Sequence, residues 1–541
     1  MRRLVLAGLL WPLFAPGSGS AVEGGARAIA EAEATFADVR DAHGVLGAID
    51  SGLFTSWRSR DRAAWQRAFD TGRQRLIVQV AALPHEGLGA ADARVVARLR
   101  EGLASFGEPS APGYGAAKCE GAARPDLDSV ALSRALVACF TEIANRLEFE
   151  GGTTDRASAL ARLSQIEEPA RRKALFHAFA PLWQAVNGDN APQSPYRRLM
   201  ALAGARPAPS AIDAAARTVG TDRAEVERWL VRILDAWRES NDRPMIEPWD
   251  YRYAMGTADR LLSPRIPLAS LLAIDHRFYR DLGVRLDAPD VYYDIEPRPG
   301  KSSVAYTDFL IHGRYRDGRW EPTVARVLAS YRHGSLGALN ELVHEDGHVA
   351  HITAIRNRPV YVDWNDTLFV EAFADVPSWS LYEPAWQRRY LGTEAAGADS
   401  LRALYGSVML DVSWALFECR MLRDPKLDPN IVWTDITSRY LRITPHPEIP
   451  WWLARVQLVD EPGYMVNYGL GAIVTAALRA RTRAAIGPFD AGNARWYPWL
   501  SDALLRYGAE RDTPTLLREF LGGPVSPDAL LAELRRMAAV R

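Results

Sequence analysis

His344, Glu345 and His348 stand in the order H-E-x-x-H within the run ELVHEDGHVAHITAI. Leu342, Val343, Val349, Ile352 and Ile355 give that run helical apolar spacing. Residues four apart share a helix face, so both imidazoles can reach one divalent metal ion. Glu345 can then take a proton from the water that such a metal activates. A third histidine, His351, falls close behind. Without a metal, the same pattern would be a polar, solvated helix face. A catalytic zinc takes three protein ligands and keeps a position for water, so two histidines leave the set incomplete. Glu371 is the candidate for the third place, an acid in the middle of the apolar run TLFVEAFADV (367–376). A lone buried carboxylate is costly unless it is paired or bound to a metal. The interval from His348, 371 − 348 = 23 residues, lets one helix finish, a loop with Pro359 cross, and a second helix return. Asp375 lies four residues beyond Glu371 on the same face. It could accept the N–H of a ligating histidine and so fix its tautomer, or form an ordinary salt bridge.

HEDGH followed by EAFAD resembles the glutamate-type zinc peptidases with the pattern H-E-x-G-H … E-A-x-x-D. Angiotensin-converting-enzyme-like dipeptidyl carboxypeptidases and thimet-oligopeptidase-like peptidases share that pattern or a close variant. The resemblance implies one Zn²⁺ per chain held by His344, His348 and Glu371, with Glu345 as general base and Asp375 behind a ligand. It also implies a mainly α fold, with two helical halves around a deep cleft and a small antiparallel sheet beside the zinc helix. Upstream, PGKSSVAY (299–306) is similar to the G-K-x-x-G-A-[FY] stretch of the thimet-type enzymes, with two serines and a valine as departures. That stretch implies a strand at Ala305 and Tyr306 that pairs with an extended peptide. Downstream, PGYMVNYG (462–469) resembles the tyrosine-bearing segment of both groups. There Tyr464 and Tyr468 would donate to the oxyanion formed during peptide attack; otherwise they are a packed core pair. The family places a histidine shortly before those tyrosines, and this chain has none there. His446 is the nearest upstream, and Arg455 and Gln457 are other candidates for its place. Arg455 is also the candidate cation for the C-terminal carboxylate of a peptide substrate.

The first residues, Met1-Arg2-Arg3, then an apolar stretch to Ala15, then PGSGSA, read as a secretory signal peptide over 1–21. Export to the periplasm or outside follows. The remainder has no apolar run long enough to span a bilayer, so no membrane insertion of the mature chain is expected. With 65 basic and 66 acidic residues the net charge is −1, which offers no concentrated basic surface for nucleic acid. Three cysteines are too few for a disulfide framework. Export still permits a Cys119–Cys139 bridge, and Cys419 reads as a buried free thiol.

Helical patterns dominate the rest, among them 31–41, 60–83, 94–104, 129–147 and 157–186. EVERWLVRILDAWRES (225–240) places Trp229, Leu230, Ile233, Leu234 and Trp237 on one stripe. Further helices are expected at 401–422 and 462–481, with two more in 513–540. Strand signals are confined to 291–295, 303–315 and 323–331, with an Asp317-Gly318 hairpin turn before the last. No linker separates independent domains, so 22–541 reads as a single unit, helical to 285 and catalytic from 286. Most of the seventeen tryptophans, Trp451 and Trp452 included, fit helix packing better than a substrate channel. The reading is a zinc peptidase of short peptides, a monomer or dimer, acting as an oligopeptidase or a dipeptidyl carboxypeptidase. The competing readings are a peptidase-like binding protein without activity and a zinc hydrolase of non-peptide substrates.

Overall fold

The computed structural model describes residues 19–50, 62–84, 86–106, 119, 122, 124–205, 210–241, 243–286, 290–298, 301 and 305–540. Most of the expected signal peptide therefore lies outside the described residues. The fold is mainly helical, and the described strands form only small sheets. Where the sequence suggests one unit with a change near 285, the chain divides into two compact units. The smaller comprises 1–50, 54–111 and 358–360, and the larger the remainder.

In the smaller unit, helices Gly19–Asp50, Arg62–Ala82 and Ala90–Ser105 pack through Phe36, Phe69 and Phe106. The segment at 358–360 joins it by polar contacts: Arg358 reaches Glu33 at 2.7 Å, and Arg40 donates to the Pro359 carbonyl at 2.9 Å.

The larger unit opens with helix Ser129–Ala144 and a hairpin of β1 (Leu147–Phe149) and β2 (Gly152–Thr154). Cys119 and Cys139 are bonded there, and Cys419 is free and buried. The stretch expected as one helix over 157–186 is three: Arg156–Leu163, Pro169–His177 and Ala180–Asn187. Pro169 is the reason for the first break, because proline fits a first helical turn and not an interior. Helix Arg223–Ser240 buries its expected stripe, with Trp237, Ile233 and Leu234 fully enclosed.

β3 (Val291–Asp294), β4 (Tyr306–Ile311) and β7 (Val324–Leu328) form a sheet in the order β3-β7-β4. β7 is buried at every position, as a central strand covered on both faces must be. β4 runs antiparallel to it, whereas β3 runs parallel, so the sheet is mixed rather than wholly antiparallel. Between β4 and β7 the chain makes a small hairpin of β5 (Arg314–Arg316) and β6 (Arg319–Glu321). Asp317 and Gly318 both have positive φ there, +50° and +76°, which a tight two-residue hairpin turn requires.

Candidate metal and catalytic site

Helix Leu336–Ala354 carries the H-E-x-x-H residues. Ser335 caps it, accepting the Ala338 N–H at 2.9 Å. Helix Thr367–Ser378 carries Glu371 and Asp375, and Asp366 caps it by accepting the Phe369 N–H at 3.0 Å. The two helices cross closely at Gly347. A Cβ there would lie 2.8 Å from Ala374 Cα and 2.9 Å from its carbonyl oxygen, so only glycine permits the approach. That contact puts the imidazoles of one helix opposite the carboxylates of the other.

His344, His348 and Glu371 each offer a ligand atom, and these atoms lie within 4.8 Å of one another. The two imidazole rings stand perpendicular with centroids 4.8 Å apart. His344 Nδ1 is 2.8 Å from Asp375 Oδ1, and His344 Nε2 is 3.3 Å from Glu371 Oε2. With Nδ1 held by Asp375, Nε2 is the nitrogen turned to the Glu371 carboxylate; without a metal a proton on it bridges the pair, and its release frees the lone pair for a ligand bond. Two imidazoles with a carboxylate form a fitting zinc donor set. Burial opposes a charge on His344, but Asp375 and Glu371 outweigh it and hold its pKa well above the ordinary value. Burial also opposes ionisation of Glu371, but its bond to His344 and the charge there outweigh it and keep its carboxyl below the ordinary range. His348 is pushed down to about 3, by burial and then by the charge of His344, so its ring is neutral as a ligand requires.

Glu345 is 5% exposed, and its Oε2 accepts the Thr307 hydroxyl at 2.8 Å. Burial pushes this carboxyl up to about 8. Thr307 comes from β4, an edge strand of its sheet, whose first residue is Tyr306 and which Ala305 immediately precedes. Residues 302–304 of the expected substrate strand lie outside the described residues. Tyr306 takes a bond from Arg326 at 2.7 Å through its hydroxyl.

Tyr464 and Tyr468 stand at the start of helix Met465–Ile486, with ring centroids 5.7 Å apart. Burial, then the charge of Glu371, raises both pKa values, so both hydroxyls stay protonated. Their helix is tied to the Glu371 helix by the Thr475 hydroxyl, which donates to the Ala372 carbonyl at 2.8 Å. Glu418, fully buried on helix Gly397–Arg423, accepts the backbone N–H groups of Gly463 at 2.9 Å and Met465 at 2.7 Å. It thereby fixes both sides of Tyr464.

Arg455 is ion-paired with Asp411 and lies over the rings of Trp414 and Tyr468. Arg156 and Arg252 stand near enough to repel it electrostatically. Burial first, then Arg455, brings each of them down to about 10. Gln457 reaches the Tyr468 hydroxyl at 3.5 Å. His446 is held between Glu448 and Glu247, each at 2.7 Å, with both ring nitrogens engaged. His351 is a core residue, enclosed by Trp364, Phe369 and Phe373 and pushed down to about 3 by burial. Trp452 is fully buried and packs on Tyr196 and Phe417.

The sequence named the residues that the structure brings together and missed Thr307 against Glu345, Glu418 against the tyrosine segment, and Arg156 and Arg252 near Arg455. A buried Glu418 inside an apolar helical run was the available signal, of the same kind that drew attention to Glu371. Thr307 and the arginines carry no sequence signal of their own.

No protein-family model matches the chain, and no curated protein matches it either. Solved structures do. The chain is similar to PZ peptidase A with an inhibitor, at TM-score 0.59 and 14% identity over 96% of each chain. It is similar to a carboxypeptidase from Pyrococcus furiosus, at TM-score 0.56 and 13% identity over 95% of this chain and 98% of that one. It is also similar to the M32 carboxypeptidase from Deinococcus radiodurans R1, at TM-score 0.54 and 14% identity, covering 95% and 99%. At such identities the likeness is one of fold, and its structural neighbours are peptidases.

Proposed function

We propose that this chain is a zinc-dependent peptidase acting on short peptides. The observation that carries the reading is the convergence of His344, His348 and Glu371, whose ligand atoms lie within 4.8 Å of one another, with His344 Nδ1 anchored on Asp375. His344, His348 and Glu371 would hold the metal. Bound there, zinc activates a water and polarises the scissile carbonyl. Glu345, in its ionised form, accepts the attacking water's proton and passes it to the leaving nitrogen. Thr307 aims the carboxylate. Tyr464 and Tyr468, kept protonated, donate to the oxyanion as it develops. The open side of β4 can pair with an extended peptide backbone.

The fold likeness to peptidases supports the class. Carboxypeptidase action is favoured over endopeptidase action by one observation: Arg252 and Arg455 both lie close to Asp411, two cations beside one carboxylate, an arrangement suited to a substrate carboxylate. Export is supported by the Cys119–Cys139 bridge, since such bonds persist in oxidising compartments. The decisive test is digestion of matched peptides with free and amidated C-termini, read by mass spectrometry. Cleavage of the free forms alone upholds the carboxypeptidase reading. Equal cleavage of both makes the enzyme an endopeptidase, and cleavage of neither removes the peptidase reading.

A further inference from the structure

Behind the H-E-x-x-H helix lies a second group of ligating side chains. Asp275 and His276 come from helix Leu271–Asp281, and Asp346 from the motif helix itself. Each of the three offers a ligand atom, all within 4.8 Å of one another. Asp346 is two residues from both His344 and His348, which turns it about 200° around the helix axis, away from the first site. Asp275 and Asp346 are both 0% exposed. No donor group faces either oxygen of Asp275; its polar neighbour is the Asp346 carboxyl, close enough to share a proton with it, and Asp346 also takes the Tyr293 hydroxyl at 2.9 Å on Oδ1. Among the described residues, no lysine or arginine contributes to the charge environment of either carboxyl.

Two enclosed carboxylates facing each other without a cationic side chain are strongly unfavourable, and proteins compensate such charge with a bound cation or a shared proton. The imidazole beside them argues for the metal, because it adds a third ligand atom where a proton-sharing pair needs none. Tyr293 supports the arrangement as an outer partner of a ligand should, donating to Asp346 while its ring lies 5.1 Å from that of His276.

We propose that Asp275, His276 and Asp346 form a second divalent-cation site, which clamps helix Leu271–Asp281 to the back of the motif helix. Two carboxylate donors and one imidazole suit zinc or manganese. The site is independent of the peptidase reading.

The full-length chain, stripped by a chelator, is reloaded with Zn²⁺ in one arm and Mn²⁺ in the other. Each sample is freed of excess metal by gel filtration, and bound metal is measured by plasma mass spectrometry. Two equivalents per wild-type chain are expected in at least one arm, falling to one in Asp275→Asn and to one in His348→Ala. A single equivalent that survives Asp275→Asn and vanishes in His348→Ala overturns the proposal and leaves the first site standing; the carboxyl pair then shares a proton. A single equivalent with the opposite pattern upholds the second site and removes the first. His276→Gln replaces Asp275→Asn if that variant does not fold. Retention of two equivalents in whichever variant is soluble also overturns the proposal.

Discussion

Glu345 depends on a single hydroxyl for its aim. Thr307 donates to it at 2.8 Å, and Glu345 has little access to water that could replace that bond. Hydrogen bonds to charged groups contribute roughly 1.5–3 kcal/mol. Thr307→Val is therefore expected to lower kcat about tenfold or more with metal content unchanged, as peptide hydrolysis and metal analysis will show. Glu345→Gln removes the proton acceptor and is expected to lower kcat by roughly 10²–10⁴-fold, again with metal retained. Unchanged turnover in Glu345→Gln would end the general-base assignment. At this scale the sequence was most legible where chemistry demands fixed spacing: His344, His348 and Glu371 converge as their types and intervals suggested. It was silent on Thr307, because a threonine in a strand looks like any other until the fold sets it against a carboxylate.

At the scale of elements, two close contacts position the site. Gly347 lets the motif helix touch the backbone at Ala374. A methyl at 347 has only backbone to push against, so Gly347→Ala is expected to destabilise by about 1–3 kcal/mol and to weaken metal binding. Denaturant unfolding alongside metal titration measures both, and wild-type values in both would show that the helices can separate freely. Glu418 anchors the tyrosine segment through two backbone N–H groups, and burial pushes its carboxyl up to about 8. Because the folded state raises this pKa above the ordinary carboxyl value, its contribution is full in acid and fades as pH rises through about 8. The destabilisation caused by Glu418→Ala should accordingly be largest at acid pH and shrink toward pH 8, as thermal unfolding across that range would reveal. A loss that grows with pH would contradict the placement of Glu418. Element types were readable wherever apolar spacing was strong, as in Arg223–Ser240 and the paired C-terminal helices. The break at Pro169 and the short β1–β2 hairpin were not read, because three-residue strands give too little alternation to stand out. The parallel pairing of β3 was hidden for a different reason: strand order depends on contacts that local pattern does not encode.

For the whole molecule, the Cys119–Cys139 bond closes a short loop in the larger unit. Its reduction is expected to lower stability by about 3 kcal/mol, in line with the loop-closure entropy of such a span. Unfolding with and without reductant checks this, and no difference would mean that the chain around 119 is already confined by packing. The mainly helical class was plain from the sequence, and the proline- and glycine-rich stretch 107–124 marks a connection where the chain divides, although it was not read as a boundary between units. Likeness of fold to peptidases at 13–14% identity makes the same point from outside: architecture persists where little of the sequence does.

X-ray diffraction from zinc-loaded crystals, collected on either side of the zinc absorption edge, locates the metal without reference to activity. An anomalous peak is expected among His344, His348 and Glu371, about 2.0–2.2 Å from an imidazole nitrogen of each histidine and a carboxylate oxygen of the glutamate. Zinc-loaded crystals with no peak at that position, or with Glu371 turned away from it, would contradict the assignment of this site as the catalytic centre.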